Sequence, residues 1–108
     1  DTGDGAVAIT GSFTDLASVA VGAGQTLYIT GLDISADEQI AYQLIVDDDG
    51  TPSEWIRAGA LNGADSHNKT FPRAIEIAGQ ADRSVILRAR CLETASGNAG
   101  GGINAYLR

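Results

Sequence analysis

The sequence has no methionine, one histidine, one cysteine and two prolines. Each scarcity closes off some chemistry. A single cysteine, Cys91, permits no internal disulfide and no thiolate cluster for a metal. It lies in an apolar run and is expected to be a small core residue. A reactive thiol needs exposure and a neighbouring base or cation, and Arg88 and Arg90 alternate onto the face opposite Cys91. The one histidine, His67, sits in the polar stretch "NGADSHNKTF" and is expected to be exposed in a loop. Asp65 and Ser66 flank it, but the members of a catalytic triad converge from separate segments rather than from adjacent positions. There is no G-x-S-x-G, and "GAGQT" lacks the lysine and the spacing of a phosphate loop.

Basic residues are also scarce. Seven Lys and Arg stand against fourteen Asp and Glu, a formal net charge of -7. Nucleic-acid binding rests on phosphate neutralisation by clustered cations, so this balance argues against DNA and RNA as partners. An anionic membrane surface would repel such a chain, and no apolar run approaches the ~20 residues that span a bilayer. No secretory leader is visible. The chain starts at Asp1 without Met, as a processed chain or a piece of a longer protein would. Its 108 residues suit one domain, 1–108, with 1–5 as a flexible start. The negative charge favours solubility.

What is present is glycine, 14 residues of it, and alternation. The longest helix candidate, Ala36 to Val46, carries no single apolar stripe. A period of two fits it better, with Ile40, Tyr42, Leu44 and Val46 on one face and Ala41, Gln43, Ile45 and Asp47 on the other. In Arg83 to Leu92, Val85, Leu87, Ala89 and Cys91 point one way and Ile86, Arg88, Arg90 and Leu92 the other. Further strands are expected over Ala6 to Phe13, Leu16 to Val21 and Gln25 to Ile34. Trp55 to Leu61 is expected at an edge, and Thr70 to Ile77 at an edge or bulge because of Pro72. In Gly102 to Arg108, Ile103, Ala105 and Leu107 should face inward and Asn104, Tyr106 and Arg108 outward. The run Gly100-Gly101-Gly102, placed before that strand, suggests close backbone approach or an unusual turn. About eight short strands divided by Gly, Asp, Asn and Ser predict an all-β, jelly-roll-like antiparallel sandwich. An immunoglobulin-like sandwich is the alternative, although its Cys and Trp pattern is absent.

The acidic stretch "IVDDDGTPSEW" offers three readings. Calcium takes six to eight oxygens, but numbering an EF-hand loop from Asp47 puts Pro52 where glycine is needed and Ala58 at the terminal glutamate position. A looser calcium loop remains an alternative. Asp47, Asp48 and Glu54 as hydrolytic carboxylates would need a desolvated cleft, which a hairpin tip does not provide. The preferred reading is a hairpin, with Asp49-Gly50 supplying its positive φ angles. No catalytic residue, cofactor or metal ligand is therefore assigned. Asn68-Lys69-Thr70 fits a glycosylation acceptor, relevant only in a secretory host.

Five residues are candidates for partner contact. Trp55 is a large amphipathic anchor, suited to a subunit interface or to stacking on a sugar. Arg88 and Arg90 share one strand face with Ile86 and Leu92, a mixture typical of protein contacts; the alternative is a solvated face covered by arginine stems. Tyr106 and Arg108 stand outward at the C-terminus.

The stretches "VAVGAGQTLYITGLDIS", "YQLIVDDDG" and "SVILRARCLETASGNAGGGINAYL" together resemble the small jelly-roll domains on tailed-phage virions, namely capsid decoration proteins and fibre heads. The likeness runs from about Phe13 onward and is structural rather than catalytic. It implies a non-enzymatic component of the virion surface that binds neighbouring subunits and capsid proteins. Such domains are commonly trimeric, with the C-terminal strand, here Gly102 to Arg108, often near the threefold axis. A module that grips host-surface glycans is the alternative function.

Overall fold

A computed structural model describes residues 7–63, 65–92 and 96–108. The expected flexible start, 1–5, lies outside the described residues. Eight strands follow one another: β1 (Val7–Thr10), β2 (Thr14–Ala20), β3 (Thr26–Ala36), β4 (Ile40–Asp48), β5 (Thr51–Leu61), β6 (Asp65–Ala78), β7 (Arg83–Cys91) and β8 (Ser96–Leu107). They form two antiparallel sheets in the orders β1-β8-β3-β6 and β2-β7-β4-β5. Six of the seven connections cross between sheets, and only β4 and β5 are joined as a hairpin within one. This is the jelly-roll winding, and it bears out the all-β sandwich expected from alternation. Among the described residues no helix is long and apolar enough to cross a membrane.

The core lies between the sheets. Leu27, Ile29, Leu32, Ile34 and Ile103 of the first sheet meet Tyr42, Leu44, Val46, Val85 and Leu87 of the second, all buried. Each such aliphatic side chain contributes about 1.5–3 kcal/mol on leaving water. Cys91 is buried among them, its thiol 3.8 Å from the Ile9 carbonyl oxygen.

Asp49-Gly50 is the two-residue loop between β4 and β5. Both residues have positive φ, 53° and 87°, the type I′ geometry whose twist matches paired strands. Glycine suits the second of these positions because it has no Cβ to clash.

Several expectations need correction. β1 ends at Thr10, so Phe13 falls outside it, and β5 begins at Thr51 rather than Trp55. The polar stretch before Thr70 is the first half of β6. Its backbone pairs with β3 from Ala36↔Asp65 to Gly31↔Thr70, and an edge strand open to water needs no apolar alternation. Pro72 is in fact both at an edge and in a bulge, since the register jumps from Gly31↔Thr70 to Ile29↔Ile75 around it. The glycine run lies inside β8 rather than before it. A Cβ on Gly101 would stand 2.6 Å from the Asp33 carbonyl oxygen and 2.8 Å from Leu87, so close approach is the reason for glycine there. Leu107, expected inward, is exposed although its register partner Leu27 is buried, and Ile45, expected on the face opposite Ile40, Tyr42, Leu44 and Val46, is 1% exposed.

Candidate contact face

The outer face of sheet β2-β7-β4-β5 explains Ile45. Antiparallel register places Ile45 on β4 directly between Trp55 on β5 and Ile86 on β7. One step along, Arg88 on β7 stands opposite Gln43 on β4 and Asp15 on β2. Arg88 Nε donates to Gln43 Oε1 at 3.0 Å. Its guanidinium carbon lies 4.7 Å from the centroid of Phe13 and 5.4 Å from that of Trp55. Arg90, two residues on, reaches the same Phe13 ring at 5.7 Å. Guanidinium groups are attracted to the negative faces of aromatic rings at these separations. Side chains from three strands and from the segment after β1 thus form a roof on the face where Ile45 is buried.

The roof is itself accessible. Trp55 is 60% exposed, which removes it from the core. Neither Arg88 nor Arg90 comes within ion-pair distance of a carboxylate among the described residues. The face therefore presents a large aromatic surface and two cations that make no ion pair among the described residues, on a chain of net charge -7.

Tyr106 and Arg108 lie elsewhere, on the outer side of sheet β1-β8-β3-β6. Tyr106 is opposite Tyr28 on β3, and the rings stack at 5.1 Å and 11°. Arg108 lies 5.8 Å from the Tyr28 centroid and 5.3 Å from that of Tyr106. Its backbone exchanges two hydrogen bonds with Thr26, at 2.9 and 3.0 Å, which hold Arg108 against β3. The five candidate residues thus divide into two groups on opposite faces.

The acidic turn is internally engaged. Asp47 Oδ1 accepts from the Gly50 amide at 2.7 Å. Asp48 takes a forked pair of bonds from Arg83, Nε to Oδ1 at 2.8 Å and Nη2 to Oδ2 at 3.2 Å. These bonds, with one from Ser53, hold the Asp48 carboxyl down at a pKa of about 2. Asp37 is likewise lowered, chiefly by the backbone N–H of Asn98. Among the described residues no three His, Cys, Asp or Glu side chains come together as a metal group would require. His67 is only half exposed. Its Nε2 lies 3.8 Å from Asp65 Oδ2, while strand alternation sends Ser66 to the opposite face, so the three do not meet. Asn68, Lys69 and Thr70 are exposed on edge strand β6.

Phe13, Gln43, Ile45 and Tyr28 belong to these clusters without having been singled out in the sequence. A cross-strand pairing of the 83–92 and 40–47 segments would have brought Gln43 beside Arg88. Phe13 had no such signal, because it lies in neither strand. Comparisons with protein-family models, with curated proteins and with solved structures return no match.

Proposed function

We propose that this chain is a non-enzymatic structural module of a tailed-phage particle, a capsid decoration or fibre-head domain at the virion surface. The observation that carries the reading is the cluster beside Ile45: exposed Trp55 with Phe13, Arg88 and Arg90, the arginines in no ion pair among the described residues. Aromatic residues and arginine are the side chains enriched where proteins meet. An acidic chain with a cationic aromatic face is complementary to another copy of itself, and a homo-oligomer, with a trimer favoured, is the expected state. The Tyr28, Tyr106 and Arg108 cluster faces the other way and is free to touch a capsid protein at the same time. The resemblance of the sequence to virion jelly-roll domains supports the virion role; it implies a threefold axis near Gly102 to Arg108, whereas the exposed indole beside the arginines favours the Arg88 face. Native mass spectrometry of Arg88→Glu/Arg90→Glu tests it. Loss of the oligomer is expected; an unchanged oligomer together with unchanged particle binding would contradict it.

The exposed indole of Trp55 favours a second reading, a module that stacks on host-surface glycans. A glycan array distinguishes the two: binding that disappears in Trp55→Ala supports adhesion, and no binding to any glycan favours decoration.

A further inference from the structure

Along one long side of the sandwich the edge strands β5 and β6 face each other across a gap. The gap is a cleft of about 430 Å3, lined by Leu32, Tyr42, Arg57, Ala58 and the Asn68–Phe71 segment, within the size range of small-molecule sites. Leu32 and Tyr42 are buried and form an apolar floor. Register puts Arg57 opposite Leu44 and Lys69 opposite Leu32, so both sit at positions whose partners point into the core. Two cations occupy the rim where alternation calls for apolar residues. Arg57 lies over the Phe71 ring at 5.2 Å. Neither Arg57 nor Lys69 pairs with a carboxylate among the described residues, and no carboxylate lines the cleft.

Tyr42 adds a polar group to the floor. Its ring packs against Gly59 of β5 so closely that any side chain there would collide with it. The glycine lets the tyrosine extend toward the edge of the sandwich, where it lines the cleft and where its hydroxyl has no hydrogen-bond partner among the described residues. Cations, a free phenol, the aromatic Phe71 and the open backbone edge of β6 along Asn68–Phe71 together fit a small carboxylate that carries hydroxyls and an apolar C–H face.

We propose that this cleft binds an acidic sugar unit of the uronic-acid type, its carboxylate between Arg57 and Lys69 and its hydroxyls toward Tyr42 and the open backbone edge of Asn68–Phe71. The site is separate from the Trp55 face and does not rest on the assembly reading. Charge-assisted hydrogen bonds supply the affinity, and the uncharged analogue loses them.

The test is a titration of the full chain, followed by amide NMR, with glucuronate, with glucose and with inorganic phosphate. Saturable shifts at residues 57–59 and 68–71 are expected with glucuronate. Glucose should bind about tenfold more weakly or worse, the loss of one charged hydrogen bond. Arg57→Gln and Lys69→Gln, both at the exposed edge, should each weaken glucuronate by a similar factor while the remaining amide spectrum is retained. Glucose as tight as glucuronate would overturn the proposal. So would phosphate as tight as glucuronate, which would mark a bare anion site, or shifts confined to the Trp55 face. Absence of saturable shifts would also overturn it and leave Arg57 and Lys69 as charges that guard open strand edges against pairing.

Discussion

The two outer faces of the sandwich use the same side-chain chemistry in different ways. On sheet β2-β7-β4-β5 the arginine is in the middle of the sheet, held by Gln43 and set against two rings, and Ile45 beside the cluster is buried. On sheet β1-β8-β3-β6 the arginine directly follows the end of β8, and its cluster is two tyrosines with Tyr106 45% exposed. The first cluster is anchored from beneath and from both sides. The second is anchored mainly by backbone bonds to Thr26. An arginine-aromatic pair is therefore not one kind of feature. Where it covers an apolar residue in mid-sheet, it should contribute to stability as well as to contact; at a strand end it should contribute chiefly to contact.

The largest expected difference is beneath the clusters. Ile45→Ala should cost about 2–5 kcal/mol in urea unfolding, as for a core residue, although Ile45 lies on an outer face. A loss below 1 kcal/mol would mean that the roof does not exclude water. Next, Arg88→Ala should cost about 1–2 kcal/mol through its two ring contacts and the Gln43 bond. Tyr106→Ala should cost about 0.5–1.5 kcal/mol, the worth of a stacked aromatic pair. Arg108→Ala should stay within about 0.5 kcal/mol. An Arg108 effect as large as that of Arg88 would erase the distinction between the faces.

A smaller effect concerns pH and neither cluster. Asp48 has a folded pKa of about 2 against an ordinary 3.8, because Arg83 favours its charged form. Its contribution is fully present above pH 4 and is lost as pH falls toward 2. The melting temperature of Asp48→Asn should therefore fall less steeply between pH 4 and pH 2 than that of the wild type. Parallel slopes would show that the Arg83 pair is not what ties Asp48 to stability.

Much of the fold was legible where burial is one-sided. The strict alternation in β7 fixed its inner face, Val85, Leu87, Ala89 and Cys91, all buried. Asp49-Gly50 announced its hairpin because a type I′ loop demands positive φ twice. The first half of β6 was hidden because an edge strand is held by backbone bonds to β3 and leaves its side chains polar. The glycines of β8 suggested close backbone approach or an unusual turn, and close approach is what Gly101 shows, inside the strand rather than before it. Arg88 and Arg90 were legible as a shared face from strand period alone. Their ring partners were not: Phe13 and Trp55 lie far off in sequence, and only the winding of the sandwich brings them to Arg88. Arg57 and Lys69 were invisible for a similar reason, since each is an ordinary polar residue until the two edges are set side by side.

The central claim is that the Arg88 face, rather than the chain as a whole, carries self-association. Sedimentation equilibrium of the wild type, of Arg88→Glu/Arg90→Glu and of Arg108→Glu measures it most directly. The account predicts association in the wild type and in Arg108→Glu, with self-affinity at least about tenfold weaker in the double variant. Equal association in all three, or a monomeric wild type at every concentration, would contradict it.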